Sequence, residues 1–278
     1  MRAQSVGTKD LTNRVVVVTG AGGGIGRELA LQCAARGGRL ALCDRDQDGL
    51  DKIVADVRGK GAEAIGQIVD VSDPEQMSTF AKETATQLGV PDVLFNNAGI
   101  ALIGGILDTT LADWDRLIGV NVMGVVNGIN AFVPAMVERG SGHVVNVASA
   151  AGLLANPQLA AYSATKYGVV GLSEALRMEL GPRGVAVTAI CPGIINTAIT
   201  HNSPYRGDNA DARKAKATSA YAKRGYTPER AADNILKAVD RNRAVAPIAA
   251  EAHVMYALAR YAPPVARWLA ATLASIAR

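Results

Sequence analysis

A hydroxyl, a phenol and an ammonium lie within one short stretch, Ser149 to Lys166, SAAGLLANPQLAAYSATK. Tyr162 and Lys166 are four residues apart, so on a helix they share a face and the ammonium sits beside the phenol. A free tyrosine titrates near ~10 and is a poor base at neutral pH, but a fixed positive neighbour favours the phenolate. Tyr162 is therefore a candidate acid/base. Ser149 ends the apolar run HVVNVAS, which reads as a buried strand followed by a loop, so its hydroxyl could address the same substrate atom as the phenol. Tyr and Lys at this spacing also occur on surface helices with no chemical role, so the pair gains meaning only from the elements around it.

The first of those elements is RVVVVTGAGGGIGRELALQCAARG, read as strand, glycine-rich turn and helix. Val15 to Val18 show no polar alternation, which suits a strand buried on both faces of a parallel sheet. Gly20, Gly24 and Gly26 then open a helix carried by Ile25, Leu29, Leu31 and Cys33. Such a turn lets the backbone approach a pyrophosphate, whose charge is favoured by exposed N–H groups at the helix start. A second strand, Arg39 to Cys43, ends at Asp44, where an acid can accept hydrogen bonds from the adenosine ribose hydroxyls.

Composition narrows the classes further. With 278 residues, 49% hydrophobic and 19% charged, the chain can bury a full core. The amino-terminal MRAQSVGTKDLTNR lacks the apolar centre of a secretory signal, and no uninterrupted apolar run is long enough to span a bilayer, so the sequence reads as soluble and cytoplasmic. Cys33, Cys43 and Cys191 sit in apolar segments without metal-ligand spacing and read as buried thiols of a reducing compartment; no metal site is expected. The net charge of +4 comes from the part after residue 200, where basic residues are interleaved with acids and aromatics are few. That is a solvated surface rather than a nucleic-acid site.

TGAGGGIG (Thr19 to Gly26), NNAG (Asn96 to Gly99), Asn121, Ser149, YSATK (Tyr162 to Lys166) and PGIINT (Pro192 to Thr197) together resemble, in order, the motif series of the short-chain dehydrogenase/reductase family. The resemblance implies an α/β fold: a single doubly wound Rossmann-type domain with a seven-stranded parallel sheet flanked by helices. It implies catalytic roles for Asn121, Ser149, Tyr162 and Lys166. It also implies cofactor contacts from Gly20, Gly23, Gly24, Ile25, Gly26, Asp44, Arg45, Asp70, Val71, Asn97, Ala98, Gly99, Tyr162, Lys166, Ile195 and Thr197. In this scheme Lys166 holds the nicotinamide ribose and lowers the pKa of Tyr162. Asn121 holds a water in a proton relay, Asp70 and Val71 contact adenine, and Ile195 and Thr197 meet the nicotinamide carboxamide.

The rest of the chain alternates as that fold requires. Helices are expected near 46–58, 74–88 and 111–138, with strands near 64–69, 92–95 and 185–191. Asn121 is an amide inside an otherwise apolar helix face and must find partners. Residues 199–227 are polar and aperiodic and read as a long loop, the place of the substrate lid in the family. A helix from Pro228 and a strand at 244–248 close the sheet. The domain is assigned to residues 1–249, and residues 250–278 to a helical extension broken by Pro263-Pro264.

These features point to hydride transfer between a nicotinamide and a secondary alcohol or ketone. Leu102, Leu153, Leu154, Ile194 and Ile199 flank the motifs and would give an apolar pocket. NAD is favoured over NADP, because Asp44 repels a 2′-phosphate and Gly23 stands where many NADP-using relatives carry a base; Arg45 argues the other way. The competing readings are a sugar-nucleotide epimerase, disfavoured by the TGxxxGxG spacing, and a non-catalytic dinucleotide sensor. In the extension Val265, Trp268, Leu269, Thr272, Leu273 and Ile276 form an apolar stripe that leaves out Arg267 and Arg278. It is expected to cover the protein's own body or a neighbouring subunit of a homodimer or homotetramer, the alternative being peripheral contact with a lipid surface beside Arg260, Tyr261 and Arg267.

Overall fold

The computed structural model describes residues 6–197 and 199–276. Its centre is a sheet of seven strands: β1 (Val15–Thr19), β2 (Arg39–Asp44), β3 (Ala64–Ile68), β4 (Val93–Asn96), β5 (Gly142–Val147), β6 (Val185–Pro192) and β7 (Val245–Ile248). They lie in the order β3-β2-β1-β4-β5-β6-β7, and every neighbouring pair is parallel. The Rossmann-like fold read from the sequence is the fold observed. Val15 and Val17 face one core and Val16 and Val18 the other, which is why β1 carries no polar alternation.

Helices fill both faces. On one side lie α1 (Gly24–Ala34), α2 (Gln47–Gly59) and α9 (Pro228–Asp240), supplying Leu29, Cys33, Ile53, Val57, Ile235 and Leu236. On the other, α3 (Pro74–Gln87) and α5 (Gly124–Arg139) meet through Phe80 and Phe132, whose rings stack edge to face at 5.7 Å. Burial of side chains of this size contributes ~1.5–3 kcal/mol each, so these clusters hold the frame rigid beneath the loops. The helix starts follow their sequence signals: Pro74 stands in the first turn of α3, and the Asp73 carboxylate accepts the N–H groups of Glu75 and Gln76.

Four details differ from the sequence reading. The helix expected over 111–138 runs from α4 (Leu111–Ile118) into α5 through a π-helical turn, Gly119–Met123. By length and composition that continuous run, Leu111–Arg139, is also apolar enough to cross a membrane, against the expectation that no segment would be. Its wholly buried Asn121, its buried Asn127 and its packing on α3 and the sheet are those of a core helix. The loop expected over 199–227 instead holds α7 (Ile199–Asn202) and α8 (Ala210–Arg224). The α8 sequence ADARKAKATSAYAKR has little apolar periodicity, but alanine, lysine and arginine have high intrinsic helix propensity.

The extension forms α10 (Ala250–Tyr261) and α11 (Pro263–Ile276), separated where Pro263-Pro264 predicts a break. The expected stripe is only partly covered: Val265 and Trp268 are exposed, Leu269 and Thr272 are half-buried, and α11 turns Ala266 inward. A small side chain lets the helix lie close, whereas the large ones would hold it off. Arg278 and the side chains of Leu273 and Ile276 lie outside the described residues.

Candidate active site

Ser149 follows the carboxyl end of β5 in an extended conformation, and its hydroxyl accepts the N–H of Ala151 at 3.2 Å. A single 3-10 turn, Ala150–Gly152, packs against α6 (Ala160–Leu180); Gly152 lies so close to the Lys166 carbonyl that a Cβ there would be under van der Waals distance. Tyr162 stands in the first turn of α6 and Lys166 one turn later. The phenol ring packs against Leu102, Leu117 and Ala161, with Ile100 and Trp114 beside it. Leu153 belongs to a separate buried cluster, so it serves the core rather than a pocket.

Lys166 is 4% exposed, yet among the described residues no carboxylate pairs with it. Its Nζ lies 5.7 Å from the Tyr162 ring centroid and donates to the Val147 carbonyl at 2.9 Å. Burial pushes its pKa down to about 8, opposed by the neighbouring Cys191, whose own thiol burial pushes up to about 12. At neutral pH the ammonium keeps its proton. One of its three hydrogens is used by Val147, and among the described residues the other two have no hydrogen-bond acceptor and can serve a ligand.

Asn121 sits on the π-helical turn, where the extra residue rotates it into the core. Its Oδ1 accepts the Ile100 N–H at 2.9 Å, and its Nδ2 donates to the Ile100 carbonyl at 2.9 Å and to Thr165 Oγ1 at 3.1 Å. Thr165 Oγ1 in turn donates to the Tyr162 carbonyl at 2.7 Å. The amide thus ties the loop after β4 to the start of α6, and only the second lone pair of Oδ1 remains for a water.

The strand order reverses between β1 and β4, and the crevice at their carboxyl ends is where a dinucleotide binds in open α/β sheets. Gly20 has a φ of 67°, and Gly23, the N-cap of α1, makes no side-chain cap, the kind of helix start whose N–H groups favour an anion. Ile25 packs at the margin of the core, and Gly26 approaches Gly20 so closely that a Cβ would strike the Gly20 carbonyl. Asn97 Nδ2 donates to the carbonyls of Thr19 and Gly20, while Thr19 Oγ1 accepts the N–H groups of Asn97 and Ala98 at 3.0 Å each. Gly99 faces both Asn121 Oδ1 and Lys166 Nζ. Thr197 borders Gly24, and Ile195 is buried beside it. Asp44 accepts the N–H of Gly22 at 2.8 Å, which holds its carboxylate against the turn. These are the open helix start, close backbone and acid that a pyrophosphate and ribose need, so the residues present fit a dinucleotide.

Arg45 points to solvent and is not drawn into this cluster. Asp70 spends its carboxylate on the N–H and hydroxyl of Ser72, and Val71 lies under Gly124 with its carbonyl bound by Asn127. Among the described residues no cluster of His, Cys, Asp and Glu could hold a metal ion.

The segment after β6 is clasped to the loop after β4. The Ile103 N–H donates to the Pro204 carbonyl and the Ile103 carbonyl accepts the Arg206 N–H, and Arg206 grips the Asp113 carboxylate through Nε at 3.1 Å and Nη2 at 2.8 Å. That fork holds the Asp113 carboxyl down at about 2. Arg213 adds bonds to the Arg206 carbonyl and to Gln158. Sequence reading missed Thr19, Thr165 and the Arg206–Asp113 pair. The two threonines lie inside quoted motifs, so position beside the glycine turn and the tyrosine was an available signal; two residues 93 positions apart leave none.

Comparison with known proteins agrees with this geometry. The family profile described as short chain dehydrogenase matches residues 14–206. A protein named as a probable oxidoreductase, EphD, from Mycobacterium tuberculosis is 39% identical over 91% of this chain, which spans only 44% of that protein's length. Levodione reductase of Leifsonia aquatica is 38% identical over 77% of this chain and 82% of its own. The crystal structure of a short-chain dehydrogenase/reductase from Burkholderia phymatum in complex with NAD superposes with a TM-score of 0.83 at 32% identity, covering 90% of this chain and 93% of that one. With a profile match across the glycine turn, the serine and the tyrosine–lysine pair, this chain belongs to the short-chain dehydrogenase/reductase family.

Proposed function

We propose that this protein is an oxidoreductase that interconverts an apolar secondary alcohol and its ketone with a nicotinamide dinucleotide, NAD in preference to NADP. The observation that carries the reading is Lys166: a buried ammonium that among the described residues has no carboxylate partner and one hydrogen-bond acceptor, the Val147 carbonyl, with the Tyr162 ring 5.7 Å away. A buried charge without a counter-ion is costly, and it persists where a ligand and a phenolate complete its surroundings. The bound nicotinamide supplies the hydride acceptor or donor. Tyr162 takes the hydroxyl proton during oxidation and returns it during reduction. Lys166 favours the phenolate and binds the ribose diol, Ser149 hydrogen-bonds the substrate oxygen, and Asn121 keeps the loop carrying Ile100 and the start of α6 in register.

The family binds both dinucleotides. The preference for NAD rests on the Asp44 carboxylate, held at the glycine turn by the Gly22 N–H, whose charge would repel a 2′-phosphate. The name of the levodione reductase relative supports a ketone as the substrate type. A cytoplasmic homodimer or homotetramer, with residues 1–249 as the catalytic unit and 250–278 as an extension, completes the proposal.

The test is Tyr162→Phe. Cofactor affinity by fluorescence titration should hold while turnover on a panel of secondary alcohols and ketones falls ~100-fold or more, the scale of general acid/base groups. Retention of turnover would remove Tyr162 from the chemistry. Cofactor binding by the unaltered protein with no turnover on any substrate would favour the sensor.

A further inference from the structure

We propose that the outer face of α10 and α11, centred on the corner between them, docks onto an anionic lipid surface. Large apolar and aromatic side chains point outward there: Tyr261 is 80% exposed, Trp268 65%, Val254 56% and Val265 47%. The body of the protein accepts Ala266 and leaves these four in solvent, so the face is built to meet something else. Arg260 and Arg267 are exposed among them.

The charge pattern selects the occupant. After Glu251 the sequence contains Arg260, Arg267 and Arg278 and no aspartate or glutamate. Glu251 itself is turned inward, bound by Arg224 and by the N–H of Ile194, and so does not neutralise the outer face. A second copy docking this face on the same face about a twofold axis would gather Arg260 and Arg267 of both copies into one contact, with no acid from residues 252–278 among them. An anionic headgroup layer complements them, and tyrosine and tryptophan suit the boundary where one end of a side chain is apolar and the other wet. The hydrophobic and electrostatic terms then act at the same corner. The inference does not depend on the reaction proposed above.

Co-sedimentation with vesicles of phosphatidylcholine, with and without phosphatidylglycerol, tests it on the full chain. The unaltered protein should bind only the vesicles containing phosphatidylglycerol. Arg260→Gln with Arg267→Gln should bind about 30-fold more weakly, from about 1 kcal/mol for each arginine near an anionic surface. The corresponding double lysine variant should retain binding. Tyr261→Ser with Trp268→Ser should abolish it, while the melting temperature and the mass by light scattering stay those of the unaltered protein, because the altered side chains are exposed. Failure of the unaltered protein to bind phosphatidylglycerol vesicles, or equal binding by the glutamine or serine variants, would overturn the proposal. A change of oligomer mass in the serine variant would overturn it too, assigning the face to a subunit contact.

Discussion

Replacing His143 should make the fold less sensitive to acid. His143 lies in β5, wholly buried, with Nδ1 3.3 Å from the Val6 carbonyl and Nε2 2.9 Å from Thr188 Oγ1. A neutral ring protonated at Nδ1 satisfies both contacts: it donates to Val6 and accepts the Thr188 hydroxyl. Adding a second proton places a charge in a dry interior. Burial therefore lowers the pKa from 6.5 to about 4; the Arg177 charge acts the same way, and the Val6 bond and the Asp240 charge oppose it. The unfolded chain takes up this proton near pH 6.5 and the native protein only near pH 4, so between those values the unfolded state binds more protons and stability rises with pH. The contribution is complete above pH 6.5 and is lost as pH falls towards 4. Worked at ~1.4 kcal/mol per pH unit, the loss amounts to ~2.5 kcal/mol at pH ~4.5. Urea unfolding of the unaltered protein and of His143→Gln, each at neutral pH and near pH 4.5, isolates this amount. The variant starts from its own stability, but its decline between the two pH values should be smaller by ~2.5 kcal/mol. Equal declines in the two proteins would refute the reasoning, because the carboxylates and the other histidines are common to both.

Three further outcomes follow from other contacts. Asp44→Ala removes the acid held at the glycine turn, and the ratio of NADH to NADPH affinity by fluorescence titration should fall; tighter NADPH binding by the unaltered protein would contradict the assignment. Ala249 has φ 82° and ψ 154°, a backbone region essentially reserved for glycine that costs ~1–3 kcal/mol. Ala249→Gly should relieve more than the ~0.4–1 kcal/mol that glycine's extra freedom in the unfolded chain removes, so the urea midpoint should rise, and a fall would show that the strain is absent in solution. Arg206→Ala releases the fork on Asp113, and limited proteolysis within residues 199–225 should accelerate while the core resists; unchanged cleavage would mean that the backbone bonds to Ile103 suffice.

The parallel sheet was legible in the sequence because strands buried on both faces leave an unmistakable apolar run, and the glycine turn was legible because close backbone approach excludes every other side chain at Gly26. Ser149, Tyr162 and Lys166 were legible as a group through spacing along one loop and one helix. Tertiary structure decided what spacing cannot express. It sealed Lys166 from water and from every carboxylate among the described residues, opened the helix into a π turn so that Asn121 could reach Ile100 and Thr165, and joined Arg206 to Asp113. It also decided the outward facing of Trp268 and Val265: amphipathic spacing says that a helix has an apolar side, but only packing says whether the molecule's own surface has room to cover it, and here Ala266 occupies that place.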